Sequence, residues 1–325
     1  MHQVVKGSSL RHKYLSLVVP VFNEADVIPI FLKRMNEIRS QVLDSLGANS
    51  SMELVFINDG SSDGSRQVIE AFATQDTSIK LVNLSRNFGK EAALSAGLHY
   101  SQGDAVVPLD VDLQDPPEIM LALIREWQAG AQVVNARRTD RSRDGLFKRC
   151  SAKVFYWLLR RISDHPVHEH VGDFRLLDRK AVDVLNQMSE NTRFNKGLFS
   201  WIGFRVATVE YARPERAAGS TKWTFPRLWA LAADGITTSS TLPLRIWTYI
   251  GGLIALLSMG YATWLVIYTF TTGIDTPGYA STMVAVLMLG GLNLLSLGLI
   301  GEYLGRVAIE VRGRPLFIVE STRGL

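Results

Sequence analysis

Two uncharged stretches near the C-terminus constrain this 325-residue chain more than any other feature of its sequence. Residues 246–270 and 281–300 contain no Asp, Glu, Lys or Arg. A helix rises about 1.5 Å per residue, so each stretch is long enough to cross a hydrocarbon core of about 30 Å. The sequence therefore predicts a transmembrane hairpin of two helices over residues 246–305, preceded by a soluble domain over residues 15–245.

The arginines that flank these stretches predict the orientation of the hairpin. Arg245 precedes the first stretch and Arg306, Arg312 and Arg314 follow the second, whereas the connecting residues 271–280 contain no Lys or Arg. Because basic residues near membrane spans favour the cytoplasmic side, both ends of the hairpin are expected there. We therefore predict a multi-pass protein whose main domain, N-terminal tail (1–14) and C-terminal tail (306–325) are all cytoplasmic.

The charge pattern argues against nucleic acid as a partner. The formal net charge is only +4, and Lys and Arg are scattered among carboxylates instead of forming a basic stripe. Basic residues do concentrate in residues 147–161 and at both ends of the apolar region, where an anionic membrane surface or lipid would attract them. The single cysteine, Cys150, cannot form an internal disulfide and fits a reducing compartment.

Short apolar runs alternate with longer amphipathic runs across residues 15–112. The predicted strands are LSLVVP, ELVFIND, IKLVNL and AVVPLD, and predicted helices between them cover residues 27–46, 65–73 and 91–100. This alternation predicts βαβ units and an α/β fold with a mainly parallel sheet. Neither GxGxxG nor GxxxxGK[ST] occurs, so this fold does not bind phosphate through a glycine-rich loop of those types.

Polar side chains follow each predicted strand, at the sheet edge where open α/β sheets bind ligands. The strongest candidate is the sequence DVDLQD, which places Asp110, Asp112, Gln114 and Asp115 after the fourth strand. Two carboxylates two residues apart can both bind one Mg²⁺ or Mn²⁺ that bridges a diphosphate. The alternative is a solvated acidic turn, which the position beside the other polar strand ends makes the weaker interpretation.

Two further groups allow more than one interpretation. His165, His168 and His170 lack the helical HExxH spacing and have no cysteine nearby, which favours a surface loop over a transition-metal site. Asp173 and Arg175 lie in a segment predicted as loop-like, before an amphipathic helix that begins near residue 179. A surface ion pair would explain this second group as well as a role in chemistry does.

The segment RPERAAGSTKW carries Arg213, Arg216 and Lys222 around a Gly-Ser turn. This composition suits the oxygens of a phosphate, and equally suits the head groups of anionic lipids. Small residues in the second uncharged stretch permit close helix contact, and with it a homo-oligomer. They are Gly290, Gly291, Gly298, Gly301 and Gly305.

Eight motifs follow one another along the chain: PVFNE, FINDGSSDGS, SRNFGKEAALSAG, DVDLQDPPE, VGDFRL, RAAGSTKW, LPLRIW and GEYLGR. Together they resemble the family 2 glycosyltransferases of the dolichyl-phosphate mannosyltransferase type, and more narrowly the bacterial and phage bactoprenol glucosyltransferases. The resemblance runs from about residue 15 to residue 315. The usual DAD of that family is DVD here, a minor departure because Val111 offers only its backbone to a metal site.

The resemblance implies a GT-A catalytic fold and a role for each matching residue. The base and ribose of a nucleotide-diphosphate sugar are expected to contact Pro20, Phe22, Glu24 and Asp59, and the donor diphosphate is expected to face Arg137. The resemblance assigns the Mg²⁺ or Mn²⁺ to Asp110, Asp112 and Gln114. It assigns catalysis to Asp173 and Arg175, and the acceptor phosphate to Arg216, Ser220 and Lys222.

The resemblance also implies a reaction and a location. A hexose, glucose from UDP-glucose, is transferred to undecaprenyl phosphate or another polyprenyl phosphate with inversion at the anomeric carbon, at a bacterial inner membrane. The alternatives are a mannose, galactose or aminoarabinose donor, or a non-catalytic membrane scaffold. A processive polysaccharide synthase is disfavoured because no QxxRW motif occurs. A chain ending near Arg245 is expected to keep donor binding, since every predicted donor residue precedes it.

Overall fold

The computed structural model describes residues 13–139, 171–188, 190, 198–199, 201–211, 242–272 and 278–325. Their contacts divide the chain into two compact units. The first is drawn from residues 1–157, 165–222 and 315–325 and contains all eight described strands. The second is drawn from residues 158–164 and 223–314 and contains two long helices. The last residues of the chain thus belong to the first unit.

The strands of the first unit form one sheet. They are β1 (Tyr14–Val21), β2 (Ser51–Asn58), β3 (Ile79–Leu84), β4 (Ala105–Pro108), β5 (Val133–Arg138), β6 (Val171–Asp178), β7 (Val206–Tyr211) and β8 (Val319–Arg323). The helices that join them are α1 (Ile28–Leu46), α2 (Ser65–Gln75), α3 (Lys90–Tyr100), α4 (Met120–Gln128) and α5 (Arg179–Gln187). A single 3₁₀ turn over Pro117–Ile119 leads into α4.

The strand order in the sheet is β7-β5-β6-β4-β1-β2-β3-β8. The pairs β1–β2, β1–β4, β2–β3 and β5–β7 are parallel, whereas β6 is antiparallel to β4 and β5, and β8 is antiparallel to β3. The predicted α/β fold with a mainly parallel sheet is therefore confirmed. All four strands predicted from the first 112 residues are present, and their parallel arrangement brings their carboxyl ends to one edge.

Both faces of the sheet are covered by helices, because the apolar residues of each strand alternate between two cores. Leu15, Leu17 and Val19 of β1 belong to the core beneath α1, α2 and α4, whereas Val18 belongs to the core beneath α3 and α5. Helix α3 lies very close to the sheet: a Cβ atom on Gly97 would lie 2.1 Å from Cγ1 of Val18. This close approach fixes the N-terminus of α3 at the edge where the strands end.

Two segments differ from the prediction. Residues 171–178 were expected to be loop-like but form strand β6, because they pair on both sides and bury Phe174 and Leu176 in one core and Leu177 in the other. Helix α5 then begins at Arg179, as predicted, with Asp178 accepting from the Lys180 backbone N–H. Residues 306–325, expected as a tail, continue a helix to Val311 and then supply β8.

The second unit contains helices α6 (Leu242–Thr272) and α7 (Tyr279–Val311), of 31 and 33 residues. The two helices contact each other. Large apolar side chains on both are exposed, among them Leu256, Phe270, Leu294 and Val311. Over the described part of the chain, no helix combines the length and the apolar character that a membrane span requires.

Candidate active site

A cleft of about 320 Å³ opens at the carboxyl ends of β1, β2 and β4, beside the N-terminus of α3. Parallel strands present their last residues at a common edge, so residues far apart in sequence meet there. The cleft is lined by Pro20, Val21, Phe22, Glu24, Asp59, Asn87, Gly89, Lys90, Ala93, Asp110, Val111 and Asp112. Six of these residues were predicted as site residues from the sequence.

The loop after β1 is held in place by the turn after β2. Asn23 adopts a left-handed backbone conformation (φ 56°), its backbone N–H donates to Ser61 Oγ at 3.0 Å, and its Oδ1 accepts from the Ser62 backbone N–H at 2.8 Å. The Glu24 backbone N–H donates to Ser65 Oγ at 2.9 Å. These bonds fix the backbone directly after Phe22, whose side chain is about half exposed at the cleft.

Asp59, predicted to contact the donor base, also orders a third loop. Its two carboxylate oxygens accept from the backbone N–H groups of Phe88 and Gly89, at 2.7 and 2.9 Å. Gly60 permits this approach, since a Cβ there would lie 2.4 Å from the carbonyl carbon of Arg86. The carboxylate is only 3% exposed, yet each oxygen has a second lone pair for a base N–H.

The acidic motif after β4 forms a tight turn. Leu113 has φ 54°, and the backbone and side-chain N–H groups of Gln114 donate to Asp112 at 3.1 and 2.5 Å. Burial raises the pKa of Glu24, and the negative charges of Asp112, Asp63 and Asp110 raise it further. A site that concentrates this much negative charge would be stabilised by a cation.

The donor set fits Mg²⁺ or Mn²⁺. Asp110 and Asp112 offer carboxylate oxygens, the ligands that hard cations prefer, and a bound diphosphate would bring further oxygens. Among the residues that the structure describes, no group of three or more His, Cys, Asp or Glu side chains could hold a metal ion by itself.

Lys90, the first residue of α3, lies between two predicted functional groups. Its Nζ lies 2.7 Å from Asp110 Oδ1 and 2.9 Å from Asp173 Oδ2. Burial lowers the pKa of the Lys90 ammonium, but the charges of Asp110 and Asp173 outweigh burial and raise this pKa above its ordinary value. The predicted metal ligand Asp110 and the predicted catalytic residue Asp173 are thus joined through one cation.

Arg175 is buried behind Asp173 on strand β6. It is 3% exposed, its guanidinium lies 3.9 Å from the centre of the Phe199 ring, and Nη2 donates to the Gly172 carbonyl at 2.7 Å. Burial lowers the pKa of Arg175 to about 10, against the raising effect of Asp173 and Glu91. Arg175 remains charged at neutral pH, and its Nε has no acceptor among the described residues.

Arg137 and Arg138 point to opposite faces of strand β5, and only Arg137 was predicted as a site residue. Arg137, expected at the donor diphosphate, is exposed, does not line the cleft and pairs with Glu210 of β7. Arg138 instead donates to both oxygens of buried Asp115, at 3.1 and 3.2 Å. The Tyr211 hydroxyl donates to the same Asp115 carboxylate at 2.5 Å and accepts from Arg138 Nε.

The structure brings together most, though not all, of the predicted site. Pro20, Phe22, Glu24, Asp59, Asp110 and Asp112 line one cleft, with Asp173 joined to it through Lys90. The predicted acceptor residues Arg216, Ser220 and Lys222 lie outside the described residues, as do Arg213, Cys150 and the three histidines 165, 168 and 170. Their assignments stay predictions.

Sequence reasoning missed Lys90, and it named Asp115 without its partners Arg138 and Tyr211. Lys90 stands in the motif SRNFGKEAALSAG, and a lysine at a helix start after a strand-end loop was the available signal. For Arg138 the signal was weaker, because in NARR the choice between two adjacent arginines depends on which face of β5 each one occupies.

Two family models match the chain. Residues 16–185 match glycosyl transferase family 2, and residues 242–307 match the GtrB C-terminal hairpin. The cleft with acidic strand ends lies within the first match. The chain therefore belongs to glycosyl transferase family 2, and its first unit has a GT-A-like α/β fold.

Within this family the chain is similar to proteins of nearly its own length. It is 47% identical over 308 residues to the SfII prophage-derived bactoprenol glucosyl transferase of Shigella flexneri, covering 95% of this chain and 98% of that protein. It is 46% identical over 309 residues to the prophage bactoprenol glucosyl transferase homolog of Escherichia coli K12, covering 95% and 99%. An uncharacterized glycosyltransferase of Synechocystis is 47% identical over 312 residues, with 96% of each chain covered.

Proposed function

We propose that the protein transfers glucose from UDP-glucose to undecaprenyl phosphate, or another polyprenyl phosphate, with inversion at the anomeric carbon. The observation that carries this proposal is a cleft at the carboxyl edge of the sheet that is lined by Asp110 and Asp112, with Asp173 joined to it through Lys90. Relatives called bactoprenol glucosyl transferases, 46–47% identical over 95% of the chain, support the choice of sugar and lipid.

The donor half of the cleft would hold the nucleotide. Phe22 offers a half-exposed aromatic ring, Asp59 offers a fixed carboxylate, and Pro20 and Glu24 line the same cleft. Asp110 and Asp112 would hold a Mg²⁺ or Mn²⁺, with Gln114 fixing the Asp112 carboxylate. When bound, such an ion neutralises charge on the leaving diphosphate.

The acceptor half would need little help with deprotonation. A phosphate monoester has a second pKa near 6, so at neutral pH the lipid phosphate is mostly a dianion and already nucleophilic. Asp173 is therefore better suited to orienting groups than to removing a proton, and its salt bridge to Lys90 fixes its carboxylate. The lipid phosphate oxygen attacks the anomeric carbon from the face opposite the leaving UDP, which inverts that centre.

We further propose that α6 and α7 anchor the protein in a bacterial inner membrane, with the first unit and both termini in the cytoplasm. This part rests on the full sequence, in which residues 246–270 and 281–300 carry no charge and arginines flank only the outer ends. The match of residues 242–307 to a C-terminal hairpin supports it. No helix among the described residues qualifies as a membrane span, and a topology measurement tests the anchor directly.

Labelling of single cysteines in intact spheroplasts provides that measurement. The native Cys150 is first replaced by serine, and a cysteine is then placed either at Asp275 in the connector or at the exposed C-terminal residue Leu325. A membrane-impermeant maleimide should label the first variant from outside and the second only after lysis. Equal labelling of both before lysis would contradict the proposed topology.

The reaction itself is tested by mass spectrometry of lipids after membranes containing the protein are incubated with undecaprenyl phosphate and one nucleotide sugar at a time. We expect UDP-glucose to give a lipid phosphate carrying one hexose, and Asp112→Asn membranes to give almost none. A product with only a galactose, mannose or aminoarabinose donor would replace the proposed sugar. No product with any donor would favour a non-catalytic scaffold.

A further inference from the structure

We propose that the C-terminal strand β8 positions the donor side of the cleft through a row of three side chains, Ser321, Asn83 and Asn58. Asn83 Nδ2 donates to Ser321 Oγ at 3.0 Å, and Asn58 Nδ2 donates to Asn83 Oδ1 at 3.0 Å. Asn58 and Asn83 are only 4% and 2% exposed. The row therefore runs through the interior from the edge strand of the sheet toward the ends of β2 and β1.

At its inner end the row reaches the turn after β2 and the loop after β1, which carry the donor side of the cleft. Asn58 Oδ1 accepts from the Ser61 backbone N–H at 3.1 Å, and Ser61 Oγ in turn accepts from the Asn23 backbone N–H. Asn58 directly precedes Asp59, and Asn23 directly precedes Glu24. The row thus holds the backbone from which two cleft residues project.

One backbone N–H sets the direction of every bond in the row. Because the Ser61 N–H can only donate, Asn58 must turn its Oδ1 toward it and its Nδ2 toward Asn83. Asn83 must then present its Oδ1 to Asn58 and its Nδ2 to Ser321. The Ser321 hydroxyl is therefore required as an acceptor, and a residue without that oxygen leaves a buried amide N–H unsatisfied.

The row is separate from the contacts that keep β8 on the sheet. Backbone pairing joins Leu81, Val82 and Asn83 of β3 to Arg323, Thr322 and Ser321 of β8. Exposed side chains add to this pairing, with Arg66 Nη1 3.3 Å from Glu320 and Arg323 Nη2 donating to Thr74 Oγ1 at 2.9 Å. Removal of the Ser321 hydroxyl should thus cut the row while β8 stays paired.

The test compares Ser321→Ala with Thr322→Ala, a change at the next, exposed residue of the same strand, in the full-length protein. Loss of one buried acceptor corresponds to roughly a three- to tenfold change in affinity. We expect Ser321→Ala to raise the Kd for UDP with Mn²⁺, and the KM for the nucleotide sugar, by that factor. The KM for the lipid phosphate should not change, Thr322→Ala should behave as wild type, and Ser321→Thr should restore donor affinity.

Hydrogen exchange of the free protein separates this inference from the proposed function on which it rests. Amides of residues 60–63 should exchange faster in Ser321→Ala than in Thr322→Ala, while amides within β1 and β2 stay protected. If wild type bound no UDP, the proposed donor would be wrong, but the exchange result would still decide whether the row orders the turn. Unchanged exchange and UDP affinity in Ser321→Ala, or equal effects of Thr322→Ala, would overturn the inference.

Discussion

Lys90 and the divalent ion that we propose would compete for the same carboxylate. Lys90 Nζ contacts Asp110 at 2.7 Å, so part of the negative charge available to a metal ion is already compensated. The same ammonium holds Asp173 at 2.9 Å. Lys90 therefore has two effects that a mutation can separate: it weakens metal binding at Asp110, and it keeps Asp173 in position.

Lys90→Met keeps a side chain of similar length and removes the charge. We expect kcat to fall by at least about tenfold, because Asp173 loses its salt bridge to Lys90 and such a charge-assisted contact is worth about 1.5–3 kcal/mol. The Mn²⁺ concentration that gives half-maximal rate should fall as well, because Asp110 loses a competing cation. Steady-state rates over a Mn²⁺ titration measure both, and a higher Mn²⁺ requirement would contradict the competition.

Asp112→Asn tests the proposed metal site by replacing one carboxylate oxygen with an amide nitrogen. The change is nearly isosteric and keeps an acceptor for the Gln114 backbone N–H, so the turn should fold. Loss of several kcal/mol of charge stabilisation in the transition state predicts roughly a thousandfold lower rate. Wild-type activity should likewise stop in EDTA and return with Mg²⁺ or Mn²⁺.

Asp44→Asn is the matched control for that experiment, since Asp44 is an exposed residue of α1 that does not line the cleft. It should keep wild-type activity and the same response to EDTA. If Asp112→Asn also kept near wild-type turnover, the DVD motif would be a structural turn and the metal would have no part in transfer.

At the level of elements, a buried carboxylate stabilises the end of the sheet that lies opposite the cleft. Glu53 of β2 is fully buried and lies 2.6 Å from Lys80 of β3, and it accepts from Ser16 Oγ, the Tyr14 hydroxyl and the Gln102 backbone N–H. Burial would raise the pKa of Glu53, but the hydrogen bonds from Lys80, Ser16, Gln102 and Tyr14 together lower it. Three neighbouring strands are thus tied together at their N-terminal ends.

Glu53→Gln should destabilise the first unit in a way that depends on pH. Leaving Lys80 buried without its partner costs roughly 3 kcal/mol. Because the folded-state pKa of Glu53 is lowered, its contribution is complete above the unfolded-state pKa of about 4.3 and disappears as the pH falls through the folded-state value. Thermal melts should therefore show a constant gap between wild type and Glu53→Gln from pH 8 to 5, and a shrinking gap below pH 4.

The same elements indicate how far sequence can predict this structure. The sequence pattern located α1, α2 and α3 to within two residues. Helices α1 and α2 each bury one apolar face, whereas α3 buries residues 92–98 in an unbroken run. It did not identify β6, since GDFRLLD places a glycine and three charged residues in a strand that buries Phe174 and even Arg175. Only pairing with both β4 and β5 makes that strand favourable, and pairing between distant segments leaves no local pattern.

The candidate site also has features that the sequence predicts and features that it does not. Carboxylates at strand ends were predictable, because the end of an apolar run marks the edge of the sheet for Asp59, Asp110 and Asp112 alike. The salt bridge from Lys90 to Asp173 was not predictable, because it depends on how closely α3 approaches the sheet at Gly97. The Arg138–Asp115 contact likewise depends on which face of β5 the second arginine of NARR occupies.

On the scale of the whole molecule, the path of the chain matters for donor binding. In sequence, the first unit includes residues that precede the second unit and residues that follow it. Strand β8 comes after α7 and pairs with β3 at the edge of the sheet. A chain ending near Arg245, which the sequence suggested would still bind donor, lacks this strand. It would also expose the edge of β3, and an open strand edge is a site for aggregation.

Two shortened chains separate the contribution of the hairpin to donor binding from that of β8. The first ends at Arg245. The second joins residue 241 to residue 315 through a long Gly-Ser linker, which acts as a flexible coil and imposes no geometry of its own. Both lack α7 and all but at most the first four residues of α6, and only the second retains β8 together with the hydrogen bond from Asn83 to Ser321.

We expect the linked chain to bind UDP with Mn²⁺ about as tightly as the full-length protein, and to transfer no sugar to a lipid in membranes. The chain ending at Arg245 should melt at a lower temperature and bind UDP at least about tenfold more weakly, because it loses both the edge pairing and the acceptor for Asn83. Calorimetric titration with UDP and thermal melts of the two chains measure these differences. Equal affinity and equal melting temperature would mean that β8 contributes nothing to the donor site, whereas loss of UDP binding in both would mean that the site needs the helices of the second unit.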